Sequence, residues 1–186
     1  MHAVKIPYFS VEDYLEMELH SEQRHEYVHG EILAMTGGSV AHNMITLNLA
    51  VALRHSLRGT PCRVYMNDVK LRIETAACFF YPDVMVSCVE PGRLQDCYVV
   101  ADAKLVIEVL SPGTVQRDRE FKRLAYRQLP GLQDYVLVAQ NSQSVTVYRR
   151  LPDGWEQEQY GPGEVVALRS LGLSLPISQI YEEVPE

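Results

Sequence analysis

The chain alternates between stretches in which apolar residues recur every three or four positions and shorter stretches rich in β-branched and aromatic residues. The first pattern is typical of amphipathic helices. It predicts one helix from Ser39 to about Leu57, ending at the turn residues RGTP, and a second over residues 114–129. A shorter helix is expected after Ser10, because Ser10 and Asp13 resemble a capping box.

The second pattern predicts β-strands. A hairpin or bulged strand pair is expected over about 25–36, with Gly30 at its middle. Three candidate strands follow, CRVYMN, VKLRIE and FFYPDVMVSC, and a crossover at 89–101 then leads to a strand at 104–110. PGLQDYVLVA predicts another strand, and SVTVYRR and WEQEQY around LPDG predict a closing hairpin.

This order of elements predicts an α/β or α+β fold with one central mixed sheet flanked by the two longer helices, plus an N-terminal and a C-terminal hairpin. The 186 residues, 47% hydrophobic and 22% charged, fit one domain spanning 1–186. No stretch approaches the roughly 18 uninterrupted apolar residues of a membrane span, and no secretory leader is evident. We therefore expect a soluble, cytoplasmic protein without a membrane partner, whose four cysteines are reduced.

Charge is distributed unevenly along the chain. The net charge of −7 argues against non-specific binding of polyanions, because Lys and Arg supply most of that affinity. However, residues 1–31 hold seven acids against two bases, whereas residues 54–127 hold twelve bases against nine acids. A locally basic face is therefore compatible with the acidic total.

Two acids interrupt the most apolar predicted strands. Glu108 lies at the centre of KLVIEVLSPG and Asp83 lies within YPDVMVSC. An unpaired charge is not tolerated in a buried strand, so each acid requires a salt bridge or a metal ion. Two acids on adjacent strands would supply the carboxylates that Mg²⁺ prefers, with water and phosphate completing the site. The alternative is that each acid pairs with a nearby Arg or Lys.

Three further residues are candidates for the same site. Asp118, Lys122 and Tyr126 recur every four residues, so Lys122 is predicted either to reach the carboxylates or to form an exposed pair with Asp118. His42 lies near the inward face of its helix and is interpreted as a ligand, a base, a phosphate contact or a hydrogen-bonded core residue.

Two acids of the N-terminal hairpin are also candidates. Glu26 and Glu31 are separated by an odd number of residues, which places them on opposite faces of a regular strand unless a bulge or turn intervenes. At most one of them is therefore expected to point inward.

Several motifs occur together in an order that resembles a known family. RHEYVHGEI, the histidine of AHNMI, YPDV, VIEVLSPGT and DREFKRLAYRQLPGLQDYVLV resemble the Uma2 family, within the PD-(D/E)XK nuclease superfamily, over roughly residues 10–180. The resemblance implies a restriction endonuclease-like core that binds Mg²⁺ or Mn²⁺ through Asp83 and Glu108. It also implies that Glu26 and His42 are active-site neighbours.

The sequence departs from the superfamily motif at one position. Leu110 stands where a lysine follows the second acid by two residues, and the family spacing assigns that lysine to Lys122. His29 stands where relatives often carry an acid.

The resulting hypothesis is a Mg²⁺-dependent DNA endonuclease that acts as a homodimer, with Asp83, Glu108, Lys122, His42 and Glu26 as its site residues. A non-catalytic dimeric nucleic-acid-binding or scaffold protein, in which the acids only form salt bridges, is a second hypothesis. A third is a metal-free hydrolase that uses two carboxylates, as glycosidases do.

Overall fold

A computed structural model describes residues 8–89 and 98–185. Helix α1 spans Val11–His20 and helix α2 spans Val40–Ser56. Helix α3 (Val115–Arg117) is followed by a π-helical turn (Asp118–Lys122) and then by helix α4 (Arg123–Tyr126). Helix α5 spans Ile177–Ile180. The run from α3 through α4 is continuous and is called the composite helix here. The helices predicted at 39–57 and 114–129 are confirmed.

Six strands form the larger sheet, in the order β11-β10-β9-β8-β6-β3. In chain order they are β3 (Arg63–Met66), β6 (Val84–Ser87), β8 (Leu105–Leu110), β9 (Asp134–Ala139), β10 (Val145–Leu151) and β11 (Gly154–Tyr160). Strands β8 and β9 are parallel and are joined through the composite helix, whereas the other pairs are antiparallel. The sheet is therefore mixed, as predicted, and β10 and β11 form the expected hairpin.

A second sheet has the order β2-β1-β5-β4-β7. Its strands are β1 (His25–Val28), β2 (Glu31–Ala34), β4 (Lys70–Ile73), β5 (Cys78–Phe80) and β7 (Val99–Val100). The fold class is confirmed, but one central sheet was expected and the strands divide between two larger sheets and a two-stranded sheet formed by residues 165–168 and 173–176. The division occurs because the predicted strand FFYPDVMVSC breaks around Pro82 into β5 and β6, which join different sheets.

The larger sheet is covered on both faces. Alternate residues of β8, such as Ile107, pack with Leu49 and other residues of α2 and with the C-terminal strands β12 (Val165–Leu168) and β13 (Leu173–Pro176). The intervening residues, such as Val106, pack with Tyr126 of the composite helix and with the second sheet. Glu108 belongs to this latter set, so it points toward the composite helix.

Helix α1 covers the second sheet and begins at the predicted cap. Ser10 accepts a hydrogen bond from the backbone N–H of Asp13. Tyr14 packs with Tyr27 and Phe79 of the sheet in a separate aromatic cluster. Within the described residues, no helix is long and apolar enough to cross a membrane.

The expectation that the cysteines are reduced is wrong for one pair. Cys62 and Cys88 form a disulfide, while Cys78 is free and buried. The pairing of β3 with β6 sets Arg63 opposite Ser87, so the next residues along, Cys62 and Cys88, also meet. The sequence contains no C-x-x-C signal for this contact. The predicted crossover at 89–101 and Cys97 fall largely outside the described residues.

Candidate active site

Asp83 and Glu108 lie side by side where β6 and β8 pair. The antiparallel register pairs Val84 with Ile107, so the residues next to them, Asp83 and Glu108, are neighbours across the two strands. The backbone N–H of Asp83 lies 3.3 Å from Glu108 Oε2. The backbone N–H of Val109 donates to Asp83 Oδ2 at 2.7 Å. The register of two adjacent strands therefore holds both carboxylates at one end of the sheet.

Lys122 reaches these acids from the composite helix. Its Nζ atom lies 3.0 Å from Glu108 Oε1, 2.9 Å from Glu26 Oε1 and 3.3 Å from Asp118 Oδ1. The hydroxyl of Tyr126 donates to Glu108 Oε1 at 2.7 Å. The stripe of residues spaced by four thus faces the carboxylates. The alternative of an exposed Asp118–Lys122 pair is wrong, because both side chains are buried.

A π-helical turn supports this arrangement. The turn spans Asp118–Lys122, and the hydroxyl of Tyr135 on β9 donates to the backbone carbonyl of Asp118 at 3.0 Å. Such turns occur mostly as single insertions in α-helices and frequently at functional sites. Here the turn carries two members of the charged cluster at its ends.

The hairpin supplies one acid to the cluster, although a turn separates Glu26 from Glu31 and the pairing of Glu31 with Val28 places both acids on the same face of the sheet, not on opposite faces. Glu26 is buried whereas Glu31 is exposed, so only Glu26 faces the cluster. Arg117 forms an ion pair with Glu26 Oε2 while Lys122 contacts Glu26 Oε1. Sequence reasoning did not single out Arg117. Its one signal was its position next to Asp118 at the start of the polar stripe.

His42 approaches from the first turn of α2. Ser39 caps that helix by accepting the backbone N–H of His42, and His42 Nε2 lies 3.2 Å from Asp83 Oδ2. The hydrogen bond to Asp83 raises the pKa of His42, while partial burial lowers it. A Cβ atom at Gly38 would lie 2.9 Å from His42 Nδ1, so a glycine leaves room for the ring. The structure thus makes His42 a partner of Asp83.

Burial and the attraction between Lys122 and the acids dominate the electrostatics of the cluster. Burial raises the pKa of Glu108 to about 8, with Lys122 opposing the rise and Asp83 adding to it. Burial alone would lower the pKa of Lys122, but Glu108, Glu26 and Asp118 together raise it, so the ammonium stays protonated. The acids outnumber the permanent cations, since Glu26, Asp83, Glu108 and Asp118 face Lys122 and Arg117. Additional positive charge would therefore be favourable here.

All five residues singled out from the sequence line one cavity of about 380 Å³. The loop of Gly37 and Gly38 and the turn of Ser111, Pro112 and Gly113 form other parts of its wall. The cavity is open to solvent and large enough for a phosphate group with its neighbouring atoms. The structure thus brings the candidates together in an accessible place.

The donor set is compatible with a hard divalent cation. Asp83 and Glu108 offer carboxylate oxygens, which Mg²⁺ and Mn²⁺ prefer, and the excess of acids favours a cation. Within residues 8–89 and 98–185, no group of three or more His, Cys, Asp or Glu side chains is arranged to hold a metal ion. Two carboxylates completed by water and phosphate remain a normal Mg²⁺ site.

An acid pair on adjacent strands, with a lysine from the helix that follows, defines a restriction endonuclease-like core. The fold agrees with a crystal structure described as a putative nuclease belonging to DUF820 from Anabaena variabilis. The TM-score is 0.76 at 19% sequence identity, covering 95% of this chain and 99% of the other. The likeness establishes the fold.

The chain belongs to the Uma2 family, described as putative restriction endonuclease, whose family model matches residues 11–178. It is 36% identical over 176 residues to uncharacterized protein slr1290 of Synechocystis sp., covering 94% of this chain and 92% of that one. It is 32% identical over 142 residues to uncharacterized protein sll1609 of the same organism, covering 76% and 80%. The family resemblance seen in the motifs is therefore confirmed.

Proposed function

We propose that this protein is a Mg²⁺-dependent endonuclease that hydrolyses phosphodiester bonds in DNA. The observation that carries the proposal is the position of Glu108, which lies beside Asp83 on one side and accepts hydrogen bonds from Lys122 and Tyr126 on the other. A carboxylate pair next to a buried ammonium, in an open cavity, combines the two parts that phosphodiester hydrolysis requires.

Asp83 and Glu108 would hold the divalent ion, which when bound supplies Lewis acidity and lowers the pKa of a bound water. Lys122 would orient the attacking water and offset the negative charge that develops on the phosphate. Glu26 also contacts the ammonium of Lys122, and Arg117 forms an ion pair with Glu26. These contacts preorganise the ammonium before substrate binds.

His42 would steady the carboxylate of Asp83 and provide a hydrogen-bond donor at the wall of the cavity. The hydrogen bond to Asp83 raises the pKa of His42 and so stabilises its charged form. A cationic imidazole there would attract a phosphate. A homodimer would place two such sites on opposite strands of a duplex, and we propose that assembly for a double-strand cut.

The decisive test is cleavage of plasmid DNA with Mg²⁺ or Mn²⁺ and with chelator. Wild-type protein should nick or linearise the plasmid only with metal, and Asp83→Asn should abolish this. Asp68→Asn is a matched control, because Asp68 is exposed and its ion pair with Arg24 spans 3.9 Å. Cleavage that persists in chelator would instead favour the metal-free hydrolase.

One observation favours the non-catalytic alternative. Lys122 already lies within 3.3 Å of three buried acids, Glu26, Glu108 and Asp118, as a purely structural cluster would require. Calorimetry with Mn²⁺ separates the two proposals, because a catalytic pair should bind the ion and Glu108→Ala should lose that binding. Equal Mn²⁺ affinity in both proteins would support the scaffold.

A further inference from the structure

Three arginines each directly follow, in the chain, a residue of the stripe that faces the active site. Arg119 and Arg123 lie on the composite helix and Arg127 directly follows its last residue, so the three recur every four residues on a side next to that of Lys122. Successive members are four residues apart in the chain, and part of the π-helical turn lies between Arg119 and Arg123. Arg119, Arg123 and Arg127 are called the arginine row below.

The row begins beside the active-site cavity. Arg119 lines a shallow hollow together with Ser111 and Pro112, and the same two residues form part of the wall of the active-site cavity. From there the helix carries the row toward the strands β10 and β11. A ligand that enters the cavity and extends along the composite helix would therefore pass the row.

The row carries positive charge that the protein does not neutralise. In the parts of the chain that the structure describes, Arg119, Arg123 and Arg127 form no ion pair within 4.0 Å. The Nε atoms of Arg123 and Arg127 are buried without a hydrogen-bond partner among the described residues. Burial, Arg123 and Arg150 lower the pKa of Arg127, as expected where cations repel one another.

Aromatic rings fix two members of the row in place. The guanidinium of Arg123 lies 5.1 Å from the ring centroid of Tyr148, and that of Arg127 lies 5.2 Å from the ring centroid of Trp155. Arg150 also lies over Trp155, at 4.6 Å, but it donates hydrogen bonds to the carbonyls of Arg127, Leu129 and Leu132. Arg150 thus uses its donors on carbonyls at the end of the helix, whereas the arginine row forms no ion pair with the described residues.

We propose that the arginine row binds the phosphate backbone of duplex DNA and guides it into the active-site cavity. This inference rests on the proposed function, because it names the path of the same substrate. Cations spaced by four residues, with no ion pair among the described residues, suit a regularly spaced polyanion. Single strands are bound largely by stacking bases on aromatic rings, and Tyr148 and Trp155 already carry guanidinium groups. The row therefore recognises the backbone rather than the bases.

The test compares duplex binding by Arg119→Gln/Arg123→Gln with that by Arg54→Gln/Arg58→Gln. The control pair also consists of two arginines four residues apart: Arg54 lies on α2, Arg58 follows the C-terminal end of that helix, and both are exposed. Binding to a short DNA duplex is measured at several salt concentrations with chelator present, so that no cleavage occurs. Each lost phosphate contact should reduce the slope of log K against log salt by about 0.9.

The row variant should therefore lose about 1.8 from that slope, while the control keeps the wild-type slope. Equal slopes in the two variants would overturn the inference, as would preferential binding of single strands or of duplex RNA by the wild type. If Arg119→Gln/Arg123→Gln does not fold, Arg119→Glu alone serves, since Arg119 is exposed. Its slope should fall by at least about 0.9, and an unchanged slope would again overturn the inference.

Failure of the proposed function gives a different result. If the protein is not a nuclease but the row is correct, plasmid cleavage is absent while the row variant still loses duplex binding. If the protein is a nuclease but the row is incorrect, the row variant cleaves plasmid with the KM of the wild type.

Discussion

Replacing Glu108 with glutamine should make the protein more stable at neutral pH. Glu108 is only 3% exposed, and burial raises its pKa from 4.5 to about 8 although Lys122 opposes the rise. The raised value means that the folded state disfavours the ionised carboxylate. Glutamine has nearly the same shape and carries no charge, and Lys122 keeps its contacts with Glu26 and Asp118.

The sign and size follow from the pKa difference between the folded and unfolded chains. Below pH 4.5 the carboxyl is neutral in both states, so Glu108 carries no penalty there. As pH rises from 4.5 to about 8, the unfolded chain releases its proton first and the stability of the wild type falls. One pKa unit corresponds to about 1.4 kcal/mol, so the loss approaches about 5 kcal/mol in full and about 2–3 kcal/mol between pH 5 and pH 7.

Urea unfolding at pH 5, 6, 7 and 8 with chelator present measures this effect. The free energy of unfolding of Glu108→Gln minus that of the wild type should grow by about 2–3 kcal/mol from pH 5 to pH 7. Glu31→Gln is the control, because Glu31 is exposed and its difference should stay flat. A flat difference for Glu108→Gln as well, or one that shrinks with rising pH, would refute the assignment of Glu108 as a destabilising buried charge.

Three other outcomes follow from buried contacts. Lys122→Met should lower the free energy of unfolding by about 3–5 kcal/mol, because it strips a shared cation from buried acids. A loss below about 0.5 kcal/mol in urea would mean that the pairing is superficial. Tyr126→Phe should cost about 1.5–3 kcal/mol in the same assay, whereas Tyr148→Phe should cost less. The disulfide between Cys62 and Cys88 closes a separation of 26 residues, so adding reductant should cost about 3 kcal/mol in thermal unfolding. An unchanged melting temperature would contradict a stabilising bond.

Local patterns predicted most of the helices and strands, because the residues that an element buries recur along the sequence with the period of that element. The stripe of α2 and the capping residue Ser10 depend on neighbours within a few residues, and both were predicted correctly. The division into two sheets depends on which strands pair, and pairing involves residues far apart in the chain. The bond between Cys62 and Cys88 was missed for the same reason.

The candidate site was predicted from positions where an acidic residue stands within an apolar stretch of the sequence. Asp83 and Glu108 stood out because an acid in an apolar strand needs a partner. Arg117 did not stand out, because it is one of several charged residues in its helix and its contact with Glu26 spans more than ninety residues of chain. A charged residue among other charged residues does not stand out in the sequence, so its ion-pair partner can be identified only from the three-dimensional structure.

The position of the lysine follows from packing on one face of β8. Leu110 lies two residues beyond Glu108 and so points to the same side of the sheet, where it packs into the apolar cluster that includes Ala125 and Tyr126. A lysine at 110 would have to place its ammonium among these apolar groups. Lys122 enters instead from the helix above, where Glu26 and Asp118 can surround it. On this face of the sheet, Leu110 of β8 therefore provides apolar packing, and Lys122 of the composite helix provides the buried cation.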